Sequence, residues 1–516
     1  MSERNPIKDN AGMDRAKMAN SMIIHSGRSE KIMNRNESDE QQQDQSELSS
    51  PPTLQHVLAN FSDCFDLTHR VFPKIGVDLV YFSHLLGSEE FTRDVIIPLD
   101  KVDPVDVGVL LERSQFYSST DSKTVIIGIL EGKVALFHEG QVYLVDVYKP
   151  DARAISQSET ETVINGPHDS FVEAAKQNLS LIRRRVKSPH LKVIKLEVGE
   201  VTKNDVYILY IDGIANLNYV HELVGRIQNI EIDAVHDGNM LIQYIDDFPN
   251  SIFPLFPTTE RTDAAVSRLV GGRIIGILDG SPSVFSAPAS FFEFFSSPDD
   301  YYQRWALGSA IRILRLVAFL ITVTFTAMYV SVTTFHYEMI PEDLLLTLTE
   351  SRARVPFPPL YEALLMEVTI ELLREAGARL PTKIGQTIGI VGGIVIGQAA
   401  VQAGLTSNIL IIAVASSAIA SFVIPSYVMS ASIRLIRFGL IILAGMMGNL
   451  GLMMGFALIV IHLSGLTSLN TSYLTPLAPF KPQDWRDVFI RAPFWAIKER
   501  PTQSGTPNKL KNRMRK

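Results

Sequence analysis

Apolar residues concentrate after about residue 311 of this 516-residue chain. A hydrocarbon core of roughly 30 Å needs about 20 consecutive apolar residues in a helix that rises 1.5 Å per residue. The pattern predicts an all-α polytopic membrane domain over 311–480, with an additional amphipathic helix and about four spanning helices. The predicted spans are 316–335, 384–405, 408–429 and 438–463. Pro425 should kink the third of them.

The polar half alternates helical and strand-like patterns, which predicts an α/β soluble domain of two subdomains, at 51–155 and 156–255. In the first, TVIIGILEGKVALFHEGQVYLVDVY reads as successive strands that turn at Glu131-Gly132 and Glu139-Gly140. In the second, an amphipathic helix that begins near Phe171 precedes two strands, HLKVIKLEVG and DVYILYIDG, and a further helix, NYVHELVGRIQNI.

The two ends of the chain are polar. Residues 1–50 are rich in Asn, Ser, Glu, Asp and Gln, so we expect a disordered extension, and they lack the apolar run of a cleavable signal peptide. Residues 481–516 are basic and end in KLKNRMRK. We interpret them as a tail that is either solvated or attached to anionic lipid.

Residues 256–310 join the two halves and are unusually aromatic. Phe285, Phe291, Phe292, Phe294 and Phe295 are too many aromatic side chains for a solvated linker. We therefore expect a linker with an interfacial segment that lies on the membrane surface beside the first span. A packed element beneath the soluble domain is the alternative.

The predicted helix 384–405 has two unlike faces. One is a stripe of small residues that would let another helix approach closely: Gly385, Gly389, Gly393 and Gly397. The opposite face carries Thr387, Val391, Val395, Gln398 and Gln402. Because an unpaired amide in hydrocarbon costs several kcal/mol, the glutamines either bond to neighbouring helices or line a water-filled path, with the valines as an apolar gate.

The preceding segment, 356–380, has a helical pattern but too many carboxylates for a span, so we place it at the outer surface. Its acidic candidates are Glu362, Glu367, Glu371 and Glu375. Contributed by several subunits, they would concentrate cations at a pore mouth; a solvated face is the alternative. Arg434 and Arg437 would then lie in an outer loop, against the positive-inside rule.

Composition and motifs narrow the classes of function. The formal net charge is −7, and a single cysteine, Cys64, excludes an internal disulfide. No nucleophile–base pair, metal-ligand spacing or nucleotide loop stands out, so we expect no enzyme activity, cofactor or metal, and no nucleic-acid partner.

Five long blocks resemble, in order, the A subunit of GerA-type spore germination receptors. They are EGKVALFHEG, INGPHDSFVEAAKQNLSLIRRRV, ERTDAAVSRLVGGRIIGILDGSPSVFSAPASFFEFFSSPDDYYQRW, RVPFPPLYEALLMEVTIELLREAGARLP and IGIVGGIVIGQAAVQAGL. The resemblance runs over roughly residues 55–500. One departure is Thr262, where the family usually has Pro in its ERPD-like run.

The resemblance implies a multi-pass protein of the spore inner membrane with a cytoplasmic N-terminal domain. It implies partnership with a transporter-like B subunit and a lipoprotein C subunit. It also implies a homo-oligomeric ring, expected to be a pentamer, that conducts monovalent cations when a nutrient is sensed. By position, the gate would lie on the helix that holds Val391 and Val395. The alternative is a membrane-anchored sensor or scaffold subunit without its own pore.

Overall fold

The computed structural model describes residues 52–149, 158, 161, 163–380, 393 and 395–511. Contacts divide the chain into two compact units. Unit one comprises the described residues up to Ser62 together with Asp66–Lys149, and unit two comprises Asp63–Phe65 and the described residues after Lys149. Unit two thus contains both the predicted second subdomain and the helices of the C-terminal half.

Unit one is built on an antiparallel five-stranded sheet in the order β1-β2-β4-β5-β3. The strands are β1 Leu67–Phe72, β2 Val77–Phe82, β3 Tyr117–Ser119, β4 Lys133–His138 and β5 Gln141–Asp146. The helices are α1 Leu54–Asn60, α2 Ser88–Phe91, α3 Ile97–Lys101, α4 Val107–Leu111 and α5 Ser122–Leu130. Thr53 caps α1 by accepting a hydrogen bond from the His56 N–H at 3.3 Å.

One of the predicted hairpins is confirmed in unit one. Strands β4 and β5 pair across Glu139-Gly140, with His138 opposite Gln141. Both turn residues have positive φ, at 47° and 80°, which suits the tight turn of a two-residue hairpin.

The prediction of a strand before Glu131-Gly132 is wrong, because this stretch is helix α5. Asp121 caps it by accepting hydrogen bonds from the N–H groups of Lys123 and Thr124. Most of its residues are buried, so its apolar, β-branched run reflects burial and not strand pairing.

Unit two opens with a second antiparallel sheet, in the order β6-β7-β9-β10-β8. The strands are β6 Leu191–Val198, β7 Asn204–Ile211, β8 Thr258–Thr259, β9 Ile274–Leu278 and β10 Val284–Ala287. The helices around it are α6 Ala175–Arg185, α7 Leu217–Gln228, α8 Gly238–Ile245 and α9 Thr262–Val270. The predicted strands β6 and β7 and the predicted helices α6 and α7 are therefore confirmed.

Both faces of this sheet are covered. Along β7, Ile208 belongs to one apolar core together with residues of α7 and α8, and Leu209 belongs to another together with residues of α6 and α9. Burial on both faces explains why DVYILYIDG reads as a continuous apolar run.

The expectation that 256–310 is a linker with an interfacial segment is wrong. This stretch supplies β8, α9, β9 and β10 to the sheet. Its five phenylalanines are all buried: Phe285, Phe291, Phe292, Phe294 and Phe295. They pack in part against Phe319 and Tyr473, which come from later in the chain, so the aromatic excess marks a core.

The C-terminal half is mainly helical. Its helices are α10 Asp299–Tyr302, α11 Trp305–Phe335, α12 Glu342–Arg352, α13 Pro359–Arg379, α14 Asn408–Phe422, α15 Tyr427–Gly465 and α16 Trp485–Val488. Two short strands follow α15: β11 Thr467–Ser468 and β12 Thr471–Ser472. By length and composition, α11 can cross a membrane, and it contains the predicted span 316–335. Helix α15 is also long and apolar enough, but it is broken at Gly448, so the prediction of a single span over 438–463 is wrong.

The other two predicted spans fare differently. Helix α14 is apolar but has only 15 residues, or about 22 Å, and it ends at Phe422. Pro425 separates it from α15, so the expected kinked helix over 408–429 is wrong. Residues 384–392 and 394 of the predicted span 384–405 lie outside the described residues, and 395–402 is helical.

Helix α15 folds into a hairpin at Gly448, whose φ of 61° and ψ of −140° break the helix. The two arms then pack closely, because a Cβ on Gly455 would lie 2.3 Å from the Leu440 side chain. Gly451 lies against Leu443 in the same way, so these two glycines join one arm to the other, whereas Gly445 lies against Leu360 of α13.

The tip and the open end of this hairpin contact different parts of the chain. At the tip, Nε2 of His336 accepts a hydrogen bond from the Asn449 N–H at 3.3 Å. At the open end, the Ser432 hydroxyl donates to the carbonyl of Ile252 at 2.6 Å. The arms therefore run from the second sheet to the far end of α11.

The chain after α15 returns to the second sheet, so up to residue 511 it is not a free tail. Tyr473 is fully buried and donates to the carbonyl of Pro254 at 2.5 Å. Gln503 donates to the carbonyl of Ala289 at 2.5 Å. We call residues 466–511 the return segment.

We expect Gly448→Ala to lower the stability of the helical half. The left-handed φ costs about 1–2 kcal/mol with a side chain, and the new Cβ would lie 2.9 Å from His336 Nε2 and 3.0 Å from the Phe335 Cβ. Thermal unfolding of the purified full chain in detergent measures the change. Gly439→Ala is the matched control: its Cβ meets nothing within 4 Å, so helix propensity predicts equal or higher stability. Equal effects of the two substitutions would contradict the hairpin turn.

Candidate functional site

A buried ion pair lies at the centre of the helical half. Glu367 of α13 and Arg437 of α15 approach to 2.5 Å between Oε2 and Nη2, and both side chains are fully buried. Glu367 also accepts a hydrogen bond from Thr326 of α11 at 2.9 Å, and Arg437 donates to Ser417 of α14 at 2.8 Å. One pair of opposite charges thus joins four helices.

A second layer of charged groups lies about one helical turn away. Arg434 of α15 donates to Glu371 of α13 at 3.1 Å. Arg374 donates to Ser421 of α14 at 2.9 Å, and its guanidinium lies 4.4 Å from the centre of the Phe422 ring. We call these residues, together with Glu367 and Arg437, the charge layers.

A third buried carboxylate holds a turn. Glu362 of α13 is 1% exposed and accepts hydrogen bonds from Arg352 and from the backbone N–H of Ser407, each at 3.2 Å. The Ser407 hydroxyl bonds to Tyr329 of α11 at 3.0 Å and caps α14. Glu362 therefore fixes the turn between the helical stretch 395–402 and α14.

The backbone conformation of this turn depends on Gly404. Gly404 has a φ of +67°, and the N–H of Leu405 bonds to the carbonyl of Ala400 while that of Gly404 bonds to Val401. This Schellman pattern ends the helix. A Cβ at Gly404 would lie 2.9 Å from the Arg354 carbonyl, so only glycine fits.

The predicted pore face is exposed within a single chain wherever it is described. Val395 is 56% exposed, and Gln398 and Gln402 are also exposed. Gly393 and Gly397 likewise have nothing within 4 Å of an added Cβ. The remaining candidates lie outside the described residues: Thr387, Val391, Gly385 and Gly389.

Comparison with known proteins decides the family. Residues 55–503 match the family described as "Bacillus/Clostridium GerA spore germination protein". The chain belongs to the GerA family.

GerA-family relatives cover most of this chain. It is 47% identical to spore germination protein GerQA of Bacillus cereus, over 71% of this chain and 74% of the relative. It is 37% identical to spore germination protein KA of Bacillus subtilis, over 85% and 82% respectively.

One similar structure covers about half of the chain. It is the N-terminal domain of the A subunit of the Bacillus megaterium spore germinant receptor GerK3. That domain is 25% identical, with 47% of this chain and 98% of that one covered and a TM-score of 0.36.

In this GerA-family chain, the acidic candidates do not share one environment. Glu362 and Glu367 are buried and Glu371 is partly exposed, each paired with an arginine of its own chain. Only Glu375 is largely exposed, and it pairs with Arg379 on the same helix. The placement of 356–380 at the outer surface is therefore wrong, because α13 packs along α15 through these ion pairs.

Sequence reasoning missed the arginine partners. Arg434 and Arg437 were expected in an outer loop but lie inside the first arm of α15. The two arginines are three residues apart, and Glu367 and Glu371 are four residues apart. Each pair therefore lies on one face of its helix, so the two arginines can face the two glutamates across the contact between the helices. Because a charge among apolar residues needs a partner, that spacing was the available signal.

A further polar cluster joins the second sheet to α11. The Asp300 carboxylate accepts hydrogen bonds from Arg312 at 3.2 Å and from Arg315 at 2.8 Å, and all three are buried. Tyr301 donates to Asp487 of the return segment at 2.7 Å. Burial, reinforced by the Asp487 charge, raises the pKa of Tyr301. The start of α11 is thus held by ion pairs to residues outside the helix.

We expect Glu367→Met and Arg437→Met each to destabilise the chain by about 3–5 kcal/mol, because each leaves one buried charge without its partner. The double variant should be closer to wild type than either single variant. Thermal unfolding of the full chain in detergent provides the comparison.

Glu375→Gln is the control for this cycle. It removes a carboxylate from the same helix, but the pair with Arg379 is exposed, so the loss should not exceed about 1 kcal/mol. Additive single effects in the double variant would show that the Glu367–Arg437 contact does not couple the helices.

Proposed function

We propose that this chain is a subunit of a spore germinant receptor in the spore inner membrane. Copies of it form an oligomeric channel for monovalent cations that opens when a nutrient is sensed. The observation that carries the proposal is the face of Val395, Gln398 and Gln402, which the chain's own described residues leave uncovered.

The argument rests on the cost of exposed amides. A glutamine facing hydrocarbon loses its hydrogen bonds to water, at several kcal/mol, so Gln398 and Gln402 require water or another protein surface. Several copies arranged around one axis satisfy this by placing the amides along a shared aqueous path. Gly393 and Gly397 then offer a close contact surface to the neighbouring copy.

Gating follows from the same face. Val395, together with Val391 four residues earlier in the sequence, would form an apolar constriction that closes by dewetting, while the amides replace part of an ion's hydration. The Glu362 clamp on Ser407 fixes the end of this helix against α13, so a movement of α13 would move the valines. Of the acidic candidates, Glu375 has the exposure required to attract cations at a pore mouth.

Family membership supports the proposed assembly. Two relatives are named spore germination proteins. We propose a pentameric ring of this multi-pass chain, with its N-terminal units in the cytoplasm, working with a transporter-like B subunit and a lipoprotein C subunit.

The competing function is a membrane-anchored sensor or scaffold subunit without its own pore. The continuous core between the second sheet and the helices favours it, since a sensor domain needs rigid attachment. It predicts tolerance of changes at Val395 and sensitivity to changes on the soluble surface, for example at the exposed Arg184 of α6.

Potassium efflux from vesicles that hold the purified receptor complex separates these functions. Val395→Ala should raise the leak without nutrient severalfold, because a wider and less apolar constriction wets more readily. Gln398→Leu should lower the efflux that nutrient triggers.

The matched control is Ile419→Ala, which shortens an apolar side chain of α14 that is 67% exposed. It should leave both fluxes unchanged. If both pore-face variants behave like this control while the complex stays assembled, the sensor function replaces the channel.

A further inference from the structure

The three tryptophans of the chain lie in two segments that meet at the start of α11. Trp305 is the first residue of α11, and Trp485 begins α16 in the return segment. Both line one cleft of about 250 Å³, together with Phe489, Ile490, Ala492, Pro493 and Arg486. Trp495 follows in the same segment and is 49% exposed. Tryptophan is enriched where a membrane meets water, since its ring is apolar and its N–H is polar.

The length of α11 places this cleft at such a boundary. Its 31 residues span roughly 45 Å at 1.5 Å per residue, and a bilayer with its headgroups is about 40–45 Å thick. Exposed apolar residues begin at Leu307 and continue through Leu314 and Leu320. Arg312 and Arg315 lie on the other face, bound to Asp300. Trp305 therefore lies at headgroup depth when α11 spans the membrane.

Two cations lie at the cleft. Arg486 lines it and Arg304 directly precedes Trp305, and both side chains are exposed and make no ion pair within the described part of the chain. Two nearby carboxylates are engaged, Asp484 with Thr502 and Asp487 with Tyr301. The patch thus presents free positive charge beside an apolar cleft.

The indole N–H of Trp485 needs a hydrogen-bond acceptor. Its Nε1 is shielded from water and has no acceptor among the described residues. An ester or phosphate oxygen that displaced the shielding side chains would satisfy it, because an indole N–H acts only as a donor.

We propose that this cleft binds one anionic phospholipid of the membrane that α11 spans. An acyl chain lies between Trp305 and Phe489, and the phosphate lies beside Arg486. The proposal rests on the membrane location in the proposed function and does not depend on conduction.

Intrinsic fluorescence tests the site without an added probe, because all three tryptophans lie in or near it. The full chain is reconstituted in phosphatidylcholine vesicles, and either phosphatidylglycerol or phosphatidylcholine with brominated acyl chains is added. We expect brominated phosphatidylglycerol to quench severalfold more strongly at equal mole fraction and to saturate at low fractions. The double variant Trp305→Phe, Trp485→Phe should remove this selective component, because both tryptophans line the cleft.

Arg486→Gln should abolish the preference for phosphatidylglycerol, and Arg486→Lys should retain it. Arg184→Gln, an exposed arginine on α6, is the control and should leave it intact. Equal quenching by the two lipids in the wild-type chain overturns the lipid site but leaves the membrane location standing.

A chain that fails to float with the vesicles overturns the membrane location itself. Potassium efflux is measured on the same vesicles, so a loss of conduction with retained lipid selectivity counts against the channel alone.

Discussion

The ion pair between Glu367 and Arg437 is the constraint on which the helical half depends. Neither group is stable alone among apolar neighbours, so α13 and α15 pack in the register that brings the two charges together. Thr326 and Ser417 bind the same pair from α11 and α14, which makes the position of each helix depend on the other three. A movement of one helix that separated this pair would leave a buried charge without its partner. Small movements of a single helix therefore cost free energy, and larger movements must involve all four helices together.

The second sheet and the helices share one apolar core. Phe291 and Phe295 contact Phe319 of α11, while Tyr473 of the return segment packs against Phe291. The Asp300 carboxylate forms ion pairs with Arg312 and Arg315 in the first part of α11. A rigid junction of this kind carries a displacement of the sheet to the helices with little loss, whichever of the two functions the chain performs.

The sequence predicted local elements well and long-range environments poorly. The alternation of residues and the turn residues predicted strands β4, β5, β6 and β7, because both signals are local in sequence. Helix α5 was mistaken for a strand, since full burial removes the periodicity that separates the two. The buried phenylalanines near residue 290 looked interfacial because their partners, Phe319 and Tyr473, are distant in sequence. Val395, Gln398 and Gln402 are exposed, and their role as a pore face stays a prediction. The pairing of Glu367 and Glu371 depended on arginines in another helix, which their own sequence neighbourhood does not reveal.

The turn at Gly448 has a consequence for how the chain enters a bilayer. Because the two arms of α15 lie side by side, the hairpin begins and ends beside the second sheet, at Ser432 and His462. Helix α11 also begins beside the second sheet. A bilayer crossed by α11 would therefore be crossed twice by the hairpin, which would end on the side where it began.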